Sequence, residues 1–133
     1  MRLLLALTLS ILLPASASAA PEQAPAEQTS ARDCFLSRNW QGWSVAPEGD
    51  ALYLRMQGGD IYRAELGPNA RVRRHLGEFL VNEVRGSSWI CTALDLDLAI
   101  SDTNGFSRPL IATGLRKLTP EEAAAIAPED RPY

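Results

Sequence analysis

Histidine, lysine and cysteine are nearly missing from this chain. His75 stands alone, Lys117 is the only lysine among 13 basic residues, and Cys34 and Cys91 are the only two cysteines. With a single imidazole, a Ser–His–Asp or Cys–His relay has no choice of base, and a histidine-rich metal site has no ligands. There is no C-x-x-C pair, which removes the common redox and zinc motifs. Net charge is only −3, so nothing points to nucleic acid as a partner. The longest apolar run, Leu3–Leu13, is about eleven residues, well short of the roughly 20 that a membrane-crossing helix needs. Internal repeats and phosphate-cradling glycine loops are also lacking.

What is present begins with an export signal. Met1-Arg2 supplies a positive start, Leu3–Leu13 an apolar middle, and Pro14–Ala20 a run of small residues suited to cleavage after Ala19 or Ala20. No cysteine adjoins that site, which argues against a lipid anchor. Residues 1–20 therefore read as a signal peptide, with no membrane span left after cleavage. About 113 of the 133 residues then remain, enough for one domain, and the formal charge moves to −4 with the loss of Arg2. Residues 21–32 are rich in Ala, Pro, Glu and Gln and read as a flexible leader. A single domain is expected over residues 33–127, with a frayed tail at 128–133.

Two cysteines in an exported chain read as one disulfide, Cys34–Cys91, rather than as a reactive thiol or a metal ligand. Trp89–Ile100 around the second cysteine carries the cleanest alternation. Leu94, Leu96, Leu98 and Ile100 fall on one side, and Asp95, Asp97 and Ala99 on the other, which predicts a half-buried central strand.

Earlier in the chain, Asn39–Val45 predicts an aromatic strand with a bulge at Gly42. Ala51–Gln57 and Ile61–Leu66 alternate around Gly58-Gly59-Asp60 and predict a hairpin. Arg71–Leu76 is loop or irregular strand, and Phe79–Arg85 is a poorly patterned strand. Pro109–Thr113 and Leu115–Leu118 supply two short late strands. Thr119-Pro120-Glu121-Glu122 has the residues of a capping box with proline at the first helical position, so a helix should run to Ala127 and dock through Leu118 and Ile126. The expected fold is mainly β: a small antiparallel barrel or sandwich of five to seven short strands with one short C-terminal helix.

Several of these segments together resemble a family of small exported bacterial proteins classed as a domain of unknown function. They are Cys34-Phe35-Leu36-Ser37-Arg38, Gly42-Trp43-Ser44-Val45, the Ala51–Leu66 hairpin closing on Gly67-Pro68, Cys91–Asp97, and Leu115–Glu122. The resemblance covers roughly residues 34–126. It implies a second cysteine pair, one member after Gly-Pro, where this chain has Asn69, the other near Arg108-Pro109-Leu110. Both are missing here, which leaves one bridge. The family brings no activity and no catalytic residues.

Four groupings merit weighing. On one strand face, Asp95 and Asp97 would lie about 7 Å apart. With Asp102 and Asn104 they are oxygen donors for calcium or magnesium, but the spacing does not match a D-x-D-x-[DN]-G loop and no metal or other cofactor is expected. As an acid–base pair the same aspartates are the basis of the rival enzyme reading. Arg71, Arg73 and Arg74, with His75, form the densest basic cluster and are the candidate contact for an anionic ligand or an acidic envelope protein. Trp40, Trp43, Tyr53, Tyr62 and Trp89 are either core or a binding face, with Trp43 and Tyr62 expected inside and Tyr53 outside.

No catalytic residue is assigned. The leading expectation is a non-enzymatic binding or interaction domain, periplasmic or secreted, in the cell envelope. Its rivals are a small hydrolase-type enzyme using Asp95 and Asp97 and a purely structural or stress-related envelope protein.

Overall fold

A computed structural model describes residues 33–73, 75 and 77–133. The expected signal peptide and leader, and Arg74 of the basic cluster, lie outside the described residues. Nine strands are formed among those residues: β1 (Phe35–Leu36), β2 (Trp40–Val45), β3 (Ala51–Met56), β4 (Ile61–Leu66), β5 (Glu78–Asn82), β6 (Trp89–Ile90), β7 (Leu98–Asp102), β8 (Ser107–Leu110) and β9 (Ala112–Lys117). One helix follows, α1 (Pro120–Ala125). All pairings are antiparallel, in sheets ordered β2-β3-β4-β9, β5-β7-β8 and β1-β6. The sheets do not close, so the architecture is a small sandwich and not a barrel.

The predicted hairpin forms as β3 and β4, with Leu52 opposite Ala64 and Leu54 opposite Tyr62. Leu52, Leu54 and Met56 join Tyr62, Ala64 and Leu66 in the main core, against Leu96, Leu98 and Ile100 from the other half of the chain. The opposite side of β3 is covered too. Ala51 and Tyr53 pack with Ala46, Leu118 and Ile126 in a smaller core. Tyr53 is therefore buried, contrary to expectation, because the C-terminal helix covers that face.

α1 starts as its residues require. Thr119 Oγ1 accepts the Glu122 N–H at 3.2 Å, and the Glu122 carboxylate accepts the Thr119 N–H at 2.9 Å. Six residues cannot hold a helix alone. Leu118 and the following Ile126 anchor it to the smaller core.

The expected continuous strand over Trp89–Ile100 is broken. β6 ends at Ile90, Ala93–Asp95 forms a single 3-10 turn, and β7 begins only at Leu98. Leu96, Leu98 and Ile100 are buried as the alternation predicts, but Leu94 is 94% exposed. Asp95 is the physical reason. Its Oδ2 accepts the N–H of Cys91 at 2.9 Å, the N–H of Thr92 at 2.8 Å and the Thr92 hydroxyl at 3.1 Å. Such local bonding offers the backbone an alternative to a ladder.

A second break occurs at Ile111. Pro109–Thr113 is not one strand. Leu110 ends β8 in the three-stranded sheet, while Ala112 opens β9 in the four-stranded one. Both are buried, so Ile111 between them turns outward and is 75% exposed. Pro109 sits opposite Ala99 on the edge strand β8, where a missing N–H is tolerated.

The expected frayed tail is docked. Pro128–Asp130 forms a 3-10 turn. Ser44 donates its hydroxyl to the Asp130 carbonyl, and Arg131 Nε donates to the Ile126 carbonyl at 3.0 Å. At Gly42, beside the β2 bulge, an added Cβ would fall 1.6 Å from the Tyr133 carbonyl oxygen. Only glycine leaves that space, and Pro132 is buried there. Cys34 and Cys91 form the predicted disulfide.

Candidate functional site

The site is assembled around the loop after β4. Gly67 N–H donates to the Ile111 carbonyl at 2.9 Å, tying the loop to the β8–β9 corner. At its far end Val72 N–H donates to the Gly49 carbonyl at 2.8 Å, and the Val72 side chain is buried in the main core. Gly49 has φ +72 and lies so close that a Cβ would meet the Val72 carbonyl at 2.6 Å. Both ends of the loop are thereby held, and Arg71 projects from it.

A pocket of about 520 Å³ lies between this loop and the corner. Pro68, Pro109, Leu110 and Ile111 line it with Arg71 and Arg108. Arg71 donates to the carbonyls of Ala70 at 2.8 Å and Pro68 at 3.4 Å, which orients its head without neutralising it. Neither arginine has a carboxylate partner among the described residues. Two arginines lining one pocket suit a carboxylate or phosphate, which a guanidinium can grip bidentately.

Arg71 was legible in the sequence as part of the basic cluster; Arg108 was not. It lies far along the chain, and only the turn back into β8 brings it beside the loop. Arg73 and His75 are exposed and do not line the pocket, although the His75 N–H donates to Glu78 at 3.1 Å. Asn69 and Arg108–Leu110 line this same pocket.

The paired aspartates do not share a face. Asp95 is committed to its turn, and the backbone N–H groups of Cys91 and then Thr92 hold its carboxyl below the usual aspartate range. Asp97 lies past the turn, paired with Arg85 at 2.5 Å. Asp102 accepts the N–H groups of Asn104 at 2.9 Å and Phe106 at 3.0 Å within its own hairpin. No cluster of three or more His, Cys, Asp or Glu side chains placed to hold an ion occurs among the described residues.

The aromatic residues are likewise dispersed. Trp40 and Trp43 border a hollow of about 410 Å³ between the edge strands β2 and β5. Tyr62 and Trp89 border another of about 380 Å³ beside the disulfide. Tyr62 is buried as expected and packs its ring at a tilt against Phe35, with centroids 4.7 Å apart, whereas Trp43 is only half-buried against the core. Tyr53 lies apart in the smaller core, where its hydroxyl receives Arg63 Nη1 at 3.1 Å. That arginine also pairs with Glu65 at 2.6 Å, and this bond first of all raises its pKa.

No known protein family, curated protein or solved structure matches the chain.

Proposed function

We propose that this protein is a non-enzymatic binding domain of the cell envelope, exported by its N-terminal signal and contacting its partner through the Arg71–Arg108 pocket. The observation that carries the reading is one pocket lined by two arginines that form no ion pair among the described residues, with exposed apolar surface at Ile111. Exposed guanidinium groups beside apolar surface suit a ligand with an anionic head and an apolar body. The disulfide fits an oxidising compartment. None of the helices among the described residues is long and apolar enough to cross a membrane.

A crosslinking pull-down of the tagged mature protein from its own envelope fraction tests this. The expected result is a specific partner that disappears when Arg71→Glu and Arg108→Glu are combined. Both side chains are exposed, so circular dichroism should show an intact fold. A partner retained by the double variant, or no partner for a well-folded protein, overturns the reading.

A further inference from the structure

The edge of β9 that faces away from β4 has no neighbouring strand among the described residues. Leu118 N–H donates to the Ile61 carbonyl at 2.8 Å, and this fixes the alternation along the strand. Gly114 and Arg116 turn their amide groups toward β4; those of Leu115 and Lys117 point outward. Beside this edge the Ala93–Asp95 turn leaves a slot of about 480 Å³, walled by Thr92–Leu94 and by Ala112–Leu115. The exposed Leu94 is part of its lining.

Thr113 borders both this slot and the Arg71–Arg108 pocket. The two hollows therefore share Thr113 as a wall at the start of β9. Leu94 lines the slot, and Ile111 and the two arginines line the pocket. The charges that β9 itself carries are already engaged, Arg116 with Glu122 at 2.9 Å and Lys117 with Asp60 at 2.7 Å. They do not guard the edge as free charges on an edge strand usually do.

From this we infer that the ligand is an extended peptide bearing a carboxylate, added as a further strand to β9 with its carboxylate between Arg71 and Arg108. The inference rests on the binding reading above and names the ligand class. An acyl chain would use the apolar surface but not the outward amide groups of Leu115 and Lys117; a peptide uses both. If the carboxylate is a chain terminus, the peptide runs antiparallel to β9, because the arginines lie at the N-terminal end of that strand.

The test uses a library of heptapeptides with free C-termini, screened with the full mature protein, followed by titration of the best binder. Three changes are then made. N-methylation of the two peptide amides facing β9 should weaken binding about tenfold or more, since each lost backbone bond is worth a severalfold change. Undiminished binding overturns strand addition but leaves the pocket reading standing. Combining Arg71→Glu with Arg108→Glu should abolish binding, and unaltered affinity overturns the pocket itself. Amidating the C-terminus, and separately changing Asp and Glu in the peptide to Asn and Gln, identifies which carboxylate is held; indifference to both overturns the carboxylate. On binding, the amides of Leu115 and Lys117 should exchange more slowly while those of Gly114 and Arg116 change little. A library without a binder at about 1 mM overturns the inference outright.

Discussion

Asp95 holds Cys91 in place by accepting its backbone N–H at 2.9 Å, four positions back along the chain. The half-cystine is therefore fixed twice, covalently to Cys34 and through its amide to the turn that follows. That turn also forms one wall of the slot beside β9, so the carboxylate links the disulfide to the candidate binding surface.

Replacing Asp95 by Asn should lower stability by about 1 kcal/mol at neutral pH, because charge-assisted bonds are replaced by weaker ones at an exposed site. The dependence on pH has a definite sign. The folded-state pKa is depressed, so the contribution is present above the ordinary aspartate pKa of about 3.9 and is lost as pH falls through the lower folded value. Urea unfolding of both proteins at pH 7 and near pH 2.5 checks this. A gap that persists or widens in acid contradicts the assignment.

Mass spectrometry of the unreduced mature protein should yield a linked Cys34–Cys91 peptide. Changing both cysteines to Ser should cost up to about 4 kcal/mol on the chain-entropy model, with a sequence separation of 57 residues between them. Thermal unfolding with and without reductant reads the same quantity.

Gly42→Ala should destabilise the domain by about 1–3 kcal/mol and release the tail, because the methyl group collides with the main chain of Tyr133. Gly58→Ala is the control, since nothing lies within 4 Å of its added Cβ. Limited proteolysis followed by intact mass should show cleavage within residues 128–133 for the first variant and not for the second.

Leu54→Ala should cost about 2–5 kcal/mol, as expected for a fully buried leucine. Leu94→Ala should cost nothing measurable in the free protein, because its side chain already faces water. Comparing denaturant midpoints separates the two. Equal losses would place Leu94 in the core after all.

The sequence by itself determined the local elements. Alternation around Gly58-Gly59 defines the β3–β4 hairpin, Thr119 and Glu122 define the helix start, and Gly42 marks the bulge in β2. In each case the bonds that form lie within a few residues or across one turn, so composition and spacing suffice. The Trp89–Ile100 pattern reads correctly only from Leu96 onward. Before Leu96, three hydrogen bonds to Asp95 outweigh the pairing that alternation alone suggests, and no period reveals that choice. Tertiary structure decided the rest. Tyr53 is inside because a helix from the far end of the chain covers it. Ile111 is outside because its neighbours serve two different sheets. Arg71 and Arg108 line one pocket only because the loop after β4 is tied to the β8–β9 corner. A charge on the sequence has a sign and a position along the chain, but its partners depend on which distant strands pair. Burying Leu52, Leu54, Leu98 and Ile100 in one core sets that pairing.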